Sequence, residues 1–232
     1  MKMKEMLQIA LDLAGLEEMC EDSGAVYDNG KDIKRVLAGI DMTTSELMIA
    51  KQLGFDCVAQ HHPNGIAKTD SAQLLARDHM DKLIKCGVPV NQAQKLAYGR
   101  IKKMHQGMHG RNRDTMGSIA ELLDMNDLAL HTPADRCVEF YMQDLMDKLV
   151  AEKGAKTTCG DIIDLINTIP EYQGAFDTQK PEIWCGSRDS LAGKVVVCMY
   201  GVGAPSIDEY NAMADAGVGT FVTMHATAEV IE

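Results

Sequence analysis

A strand-helix-strand pattern that occurs twice constrains this chain most. In its first copy Val36-Leu37-Ala38-Gly39-Ile40 predicts a buried strand within residues 35–43. Thr44 or Ser45 then caps a helix through Leu53, with Glu46 in its first turn and Gly54 just past its end. Phe55-Asp56-Cys57-Val58-Ala59-Gln60 predicts the second strand. In the second copy residues 194–200 predict a strand, Gly201-Val202-Gly203-Ala204-Pro205 a tight turn, residues 207–216 a helix and residues 217–225 another strand. Laid on one another, residues 54–62 and 217–225 put His225 where His62 stands. Parallel strands joined through a helix need cover on both faces, so the pattern predicts an α/β protein. The expected architecture is two pseudo-related βαβ lobes, with mostly parallel or mixed sheets, facing a shared cleft.

The remaining periodicity supplies helices over 3–20, 70–86, 91–101, 114–125, 135–152 and 159–169, a short strand at Val88-Pro89-Val90, and a loop over 104–110. The domain organisation read from this is a first lobe over 1–125, a helical insertion over 126–192 and a second lobe over 193–232.

The first copy ends in His61-His62, followed by Pro63-Asn64-Gly65. Catalytic groups of α/β proteins collect at the carboxyl ends of strands, and neutral imidazole is a common ligand of zinc, iron, copper and nickel. The bland alternative is one capped core histidine and one solvated loop histidine. Two further places carry histidines: His105-Gln106-Gly107-Met108-His109, and His225. His105 and His109 are four apart, but Gly107 weakens a helix there, so one of the two is expected to ligate. His225 and Glu229 share that spacing, with a ligand pair and a solvated glutamate equally open. His79 and His131 lie among polar neighbours and are expected at the surface.

A formal net charge of -11 argues against DNA and anionic membrane surfaces as partners. The one basic stretch, from Lys95 to Arg113, is either a solvated helix face or a patch that attracts an anionic small molecule. The 7 cysteines are scattered without a C-x-x-C pair, and no 18-residue apolar span occurs, which predicts a reduced, cytoplasmic protein. The 201–205 turn lacks the third glycine of a dinucleotide fingerprint and the Lys-Ser/Thr of a P-loop.

Ile40-Asp41-Met42-Thr43 at the first strand's end, His61-His62-Pro63, and the leucine-rich Ile119-Ala120-Glu121-Leu122-Leu123 after a histidine loop together resemble the Nif-three-like family. Its members are dinuclear-metal hexamers often labelled GTP cyclohydrolase I type 2 homologues. The resemblance covers roughly residues 1–125 and 193–232. It implies that His61 and His62 are the family's adjacent ligands, and that His109 stands where the family's His-x-x-x-Asp loop has its aspartate. It places His225 at a substituted position. The family continues to a His-x-x-x-Glu pair, so either a final helix and strand are absent here or His225 and Glu229 supply that pair.

The implied ligand set is thus His61, His62, His109, His225 and Glu229, holding one or two divalent transition metals per chain. Imidazole in place of carboxylate favours zinc, iron or nickel, with manganese still admissible. The expected activity is a metal-dependent hydrolase acting on a nucleotide or phosphorylated small molecule, in a homo-oligomer that is hexameric by the resemblance. The alternative is a non-enzymatic, oligomeric metal-binding scaffold that engages protein partners; a metal-free nucleotide-binding module ranks last. Asp41 is the carboxylate that would support a ligand or act as base.

Overall fold

The computed structural model describes residues 1–110, 114–199, 204–224 and 226–232, and their side chains except those of 65–73, 75, 76 and 178. In chain order the elements are α1 (Met3–Ala14), β1 (Ser23–Tyr27), β2 (Val36–Gly39), α2 (Thr44–Gln52), β3 (Cys57–Gln60), α3 (Gly65–Cys86), α4 (Val90–Met108), α5 (Thr115–Leu123) and β4 (Asn126–Leu130). They continue with α6 (His131–Lys153), α7 (Cys159–Ile166), α8 (Pro170–Gln173), β5 (Lys194–Cys198), α9 (Ile207–Asp215), β6 (Val218–Thr223) and α10 (Ala228–Ile231). The chain forms two compact units, one on Met1–Met80 and Gln94–Val138, the other on Asp81–Ala93, Glu139–Met199 and Ala204–Glu232.

The first unit is built on a four-stranded sheet in the order β1-β4-β3-β2. β2, β3 and β4 run parallel, and β1 pairs antiparallel with β4. Successive side chains of a strand point to opposite faces. Val58 of β3 therefore packs with Leu47 and Ala50 of α2 and with Met116 and Ala120 of α5 on one face. Its neighbour Cys57 joins Leu128 of β4 and Met3 of α1 on the other. The α2 start is a capping box, with Thr43 and Glu46 satisfying one another's backbone donors.

In the second unit β5 and β6 pair in parallel, and α9 connects them. Val195, Val197 and Met199 meet Met142 and Met146 of α6 and Ile162 and Ile166 of α7. Tyr210 of α9 stands edge-on to Phe221 with ring centroids 4.9 Å apart. The α/β class, the parallel strand pairs and the two βαβ copies agree with the sequence-based expectation.

Four local expectations are corrected. No strand forms at Val88-Pro89-Val90: the Pro89 carbonyl instead accepts from Gln92 and Ala93 and opens α4. The 104–110 loop is largely helix, because α4 continues through Gly107 to Met108. The first βαβ strand is short and only half-buried, since β2 lies at the sheet edge. Two strands were not foreseen: β1, and β4 at the centre of the sheet, which opens on the polar pair Asn126-Asp127. Among the described residues no helix is long and apolar enough to cross a membrane.

Candidate metal centre

β3 and β4 are parallel neighbours, with Gln60 beside Ala129. The residues just past their carboxyl ends therefore come together: His61 after β3, and His131, which ends β4 and begins α6. The β2–β3 ladder is prolonged by His61 N–H to the Gly39 carbonyl at 3.0 Å and His62 N–H to the Ile40 carbonyl at 2.9 Å. Below the pair, Gln60 donates to both oxygens of Asp127 at 3.0 and 3.1 Å and accepts from Asn64 at 2.8 Å. Asn64 also donates to the Met42 carbonyl, so the His61–Asn64 turn is fixed at both ends.

The rings of His61, His62 and His131 form one cluster. Their centroids are 5.0 Å (61 to 62), 4.9 Å (61 to 131) and 5.9 Å (62 to 131) apart. One ligand nitrogen from each lies within 4.8 Å of the others. Each ring is also held by an oxygen. His131 Nδ1 donates to Asp22 Oδ2 at 2.7 Å, and Thr132 Oγ1 donates to the same oxygen at 2.8 Å. Asp22 precedes β1, whose Ser23 is opposite Leu130, which brings this carboxylate beside His131. His62 Nδ1 donates to Asp41 Oδ1 at 2.8 Å. The Leu130 carbonyl binds the His61 ring. Asp135, one turn along α6 from His131, lies 3.4 Å from His61 Nε2 and 3.7 Å from His131 Nε2.

These surroundings pull the rings apart electrostatically. Burial, followed by the charges of His131 and His62, lowers the His61 pKa, which favours the neutral ring that a metal needs. Burial also works against charge on His131, but the Asp22 hydrogen bond and the Asp135 and Asp22 charges outweigh it and raise its pKa.

The donor set fits a borderline divalent metal. Three imidazoles supply nitrogen donors, and a carboxylate that accepts a hydrogen bond from a ring's Nδ1–H leaves its Nε2 lone pair for the ion, the usual outer-shell arrangement of histidine metal sites. His61, His62 and His131 can thus hold a metal ion, with Asp22, Asp41 and Asp135 behind or beside them.

The structure brings together His61 and His62 of the expected ligands. His109 lies exposed just past α4 and His105 exposed in its last turn, both outside the cluster. Glu229 is exposed in the first turn of α10. His225, Arg111, Arg113 and Gly201–Gly203 of the glycine turn lie outside the described residues. His79 and His131, expected at the surface, are buried at 6% and 8% exposure. For His131 the reason is that the Asn126–Leu130 strand delivers it into the first unit. The signal that could have found it is an intact His-x-x-x-Asp, His131-Thr132-Pro133-Ala134-Asp135, which one helical turn places on one face.

No protein-family model and no curated protein matches the chain. Among solved structures, a NIF3 superfamily protein from Sphaerobacter thermophilus superposes with a TM-score of 0.91 at 30% identity, over 98% of this chain and 82% of that one. Reduced HcgD from Methanocaldococcus jannaschii superposes with a TM-score of 0.50 at 16% identity, over 100% of this chain and 81% of that one, a likeness of fold.

Proposed function

The chain belongs to the NIF3 superfamily, and from that membership and its imidazole cluster we propose a metal-dependent hydrolase acting on a nucleotide or phosphorylated small molecule. The observation that carries the proposal is the presence of an oxygen partner for each of the three clustered rings. Such support orients the rings and makes carboxylate-backed imidazoles more basic ligands.

His61, His62 and His131 would hold the ion, zinc, iron or nickel in preference to manganese, one or two per chain. A bound divalent metal supplies a Lewis acid and a water of lowered pKa. Asp22 keeps the His131 proton on Nδ1, and Asp41 does the same for His62. Asp135, whose oxygens face two of the rings, is the carboxylate placed to accept a proton. Exposed Lys95, Lys102 and Lys103 on α4 form a local positive face in a chain of net charge -11 and would draw an anionic substrate. We extend the proposal to a cytoplasmic homo-oligomer, hexameric by the resemblance, with His225 and Glu229 as further ligand candidates.

The test is hydrolysis of a panel of nucleotides and phosphate esters by metal-reconstituted protein, with Asp135→Asn beside it. Metal-dependent turnover that Asp135→Asn lowers at unchanged metal content supports the proposal. Full metal content without turnover on any substrate class favours the scaffold reading.

A further inference from the structure

Asp127 is fully buried near the start of β4, and among the described residues its carboxylate has one donor group, the Gln60 amide, at 3.0 and 3.1 Å. Gln60 is itself only 1% exposed. A buried carboxylate is ordinarily met by a cation or by several donors, because taking a bare charge out of water is costly. Here one neutral amide meets it, and burial lifts its pKa to about 6. The charge costs the fold stability at neutral pH, and an apolar residue of like shape would hold the strand as well. An unfavourable buried charge of this kind points to a function beyond packing.

What the charge does follows from the chemistry of amides, which accept at oxygen and donate at nitrogen. An ionised carboxylate only accepts, so it turns Gln60 Nε2 toward itself and Gln60 Oε1 away. Oε1 in turn accepts from Asn64 Nδ2 at 2.8 Å, and the same nitrogen donates to the Met42 carbonyl, also at 2.8 Å. Met42 follows Asp41, whose carboxylate holds His62 at 2.8 Å, and Asn64 closes the turn that carries His61 and His62. The row therefore ties the loop after β2 to the turn after β3, which are the two sides of the His62–Asp41 pair. Without the charge, Gln60 can present either end to residue 127. If its oxygen turns there, its nitrogen meets Asn64, whose own nitrogen must turn away and release the Met42 carbonyl.

We propose that Asp127 is a positioning residue of the metal centre, its negative charge fixing the amide orientations of Gln60 and Asn64 and through them the place of the His61–His62 turn. The consequence, weaker ion binding when the charge is lost, rests on the metal-centre reading. The cause rests on the row of hydrogen bonds alone.

The first variant is Asp127→Asn, of equal shape and no charge. Its zinc affinity, measured by chelator competition at neutral pH, should be at least about threefold below the parent's although its urea midpoint is equal or higher. A residue that served packing alone would not move the two in opposite directions. The second variant is the exchange Gln60→Glu/Asp127→Asn, in which the amide now on β4 donates to the carboxylate now on β3 and that carboxylate accepts from Asn64. The row regains its direction, so zinc affinity should return to within about twofold of the parent's. In the metal-free protein, hydrogen exchange of the Asn64 side-chain amide, followed by NMR, should be slow in the parent and the double variant and faster in Asp127→Asn. Equal Asn64 exchange in all three proteins overturns the proposal. So does an Asp127→Asn variant that binds zinc as tightly as the parent, or a folded double variant that binds no better than Asp127→Asn. A parent that takes up no zinc fails the metal-centre reading instead, and the Asn64 exchange then decides the proposal alone.

Discussion

His131 Nδ1 and Asp22 Oδ2 stand 2.7 Å apart, joining the start of α6 to the residue before β1. The Asp22 side chain is fully buried and also accepts from Thr132 and Ser23. A carboxylate so enclosed fixes both the tautomer and the orientation of the ring it holds.

Asp22→Asn keeps the shape and removes the charge. Metal affinity should fall by roughly 10- to 100-fold, the usual consequence of losing an outer-shell partner. Competition with a chelator measures it, and circular dichroism of the metal-free variant shows that the fold is retained. An unchanged affinity would mean that His131 binds no metal.

The Asp41 carboxylate bonds His62 at 2.8 Å, but its side chain is 79% exposed. Solvent weakens such a contact to at most about 1 kcal/mol. Asp41→Ala should therefore lower metal affinity by no more than about fivefold in the same competition experiment, and far less than Asp22→Asn does.

Asp127 makes a pH-dependent prediction. Burial raises its pKa from 3.8 to about 6, against a smaller lowering by the Gln60 amide. Its native state takes up a proton more readily than the unfolded chain, so stability is full below pH 4, declines as pH rises toward 6, and stays at the lower level above that. The shift of about two units corresponds to roughly 3 kcal/mol at neutral pH. Asp127→Asn should stabilise the protein at pH 7 by an amount of that order or less and flatten the acid limb. Urea denaturation at pH 4 and pH 7 measures both.

Gln143 substitutes for a strand along β5. Gln143→Leu leaves Val195 O and Val197 N–H without it and should destabilise by about 1–3 kcal/mol, read as a lower urea midpoint.

What the sequence made legible follows from how local its signals were. β3 and β5 hold the apolar runs Cys57-Val58-Ala59 and Val195-Val196-Val197-Cys198, and His61-His62 follows the first of them, so strand and site were readable together. β4 was not, because its first two residues, Asn126 and Asp127, are polar yet buried. Asn126 is satisfied by bonds to Asn29 and Asp56, and Asp127 by Gln60, partners distant in sequence. With that strand unseen, His131 had no reason to leave the surface. Asp22 was equally hidden, since its nearness to His131 depends on the unforeseen antiparallel pairing of β1 with β4. His105 and His109 attracted attention through the same four-residue spacing that His131 and Asp135 possess.

The central claim is that His131 completes a metal site with His61 and His62. Elemental mass spectrometry of the protein, loaded with zinc or iron and desalted, tests it on the parent, His131→Ala and His109→Ala. The predicted result is at least about one metal per chain in the parent and in His109→Ala, with most of it lost from a folded His131→Ala. Full metal in His131→Ala, with loss in His109→Ala, would contradict it.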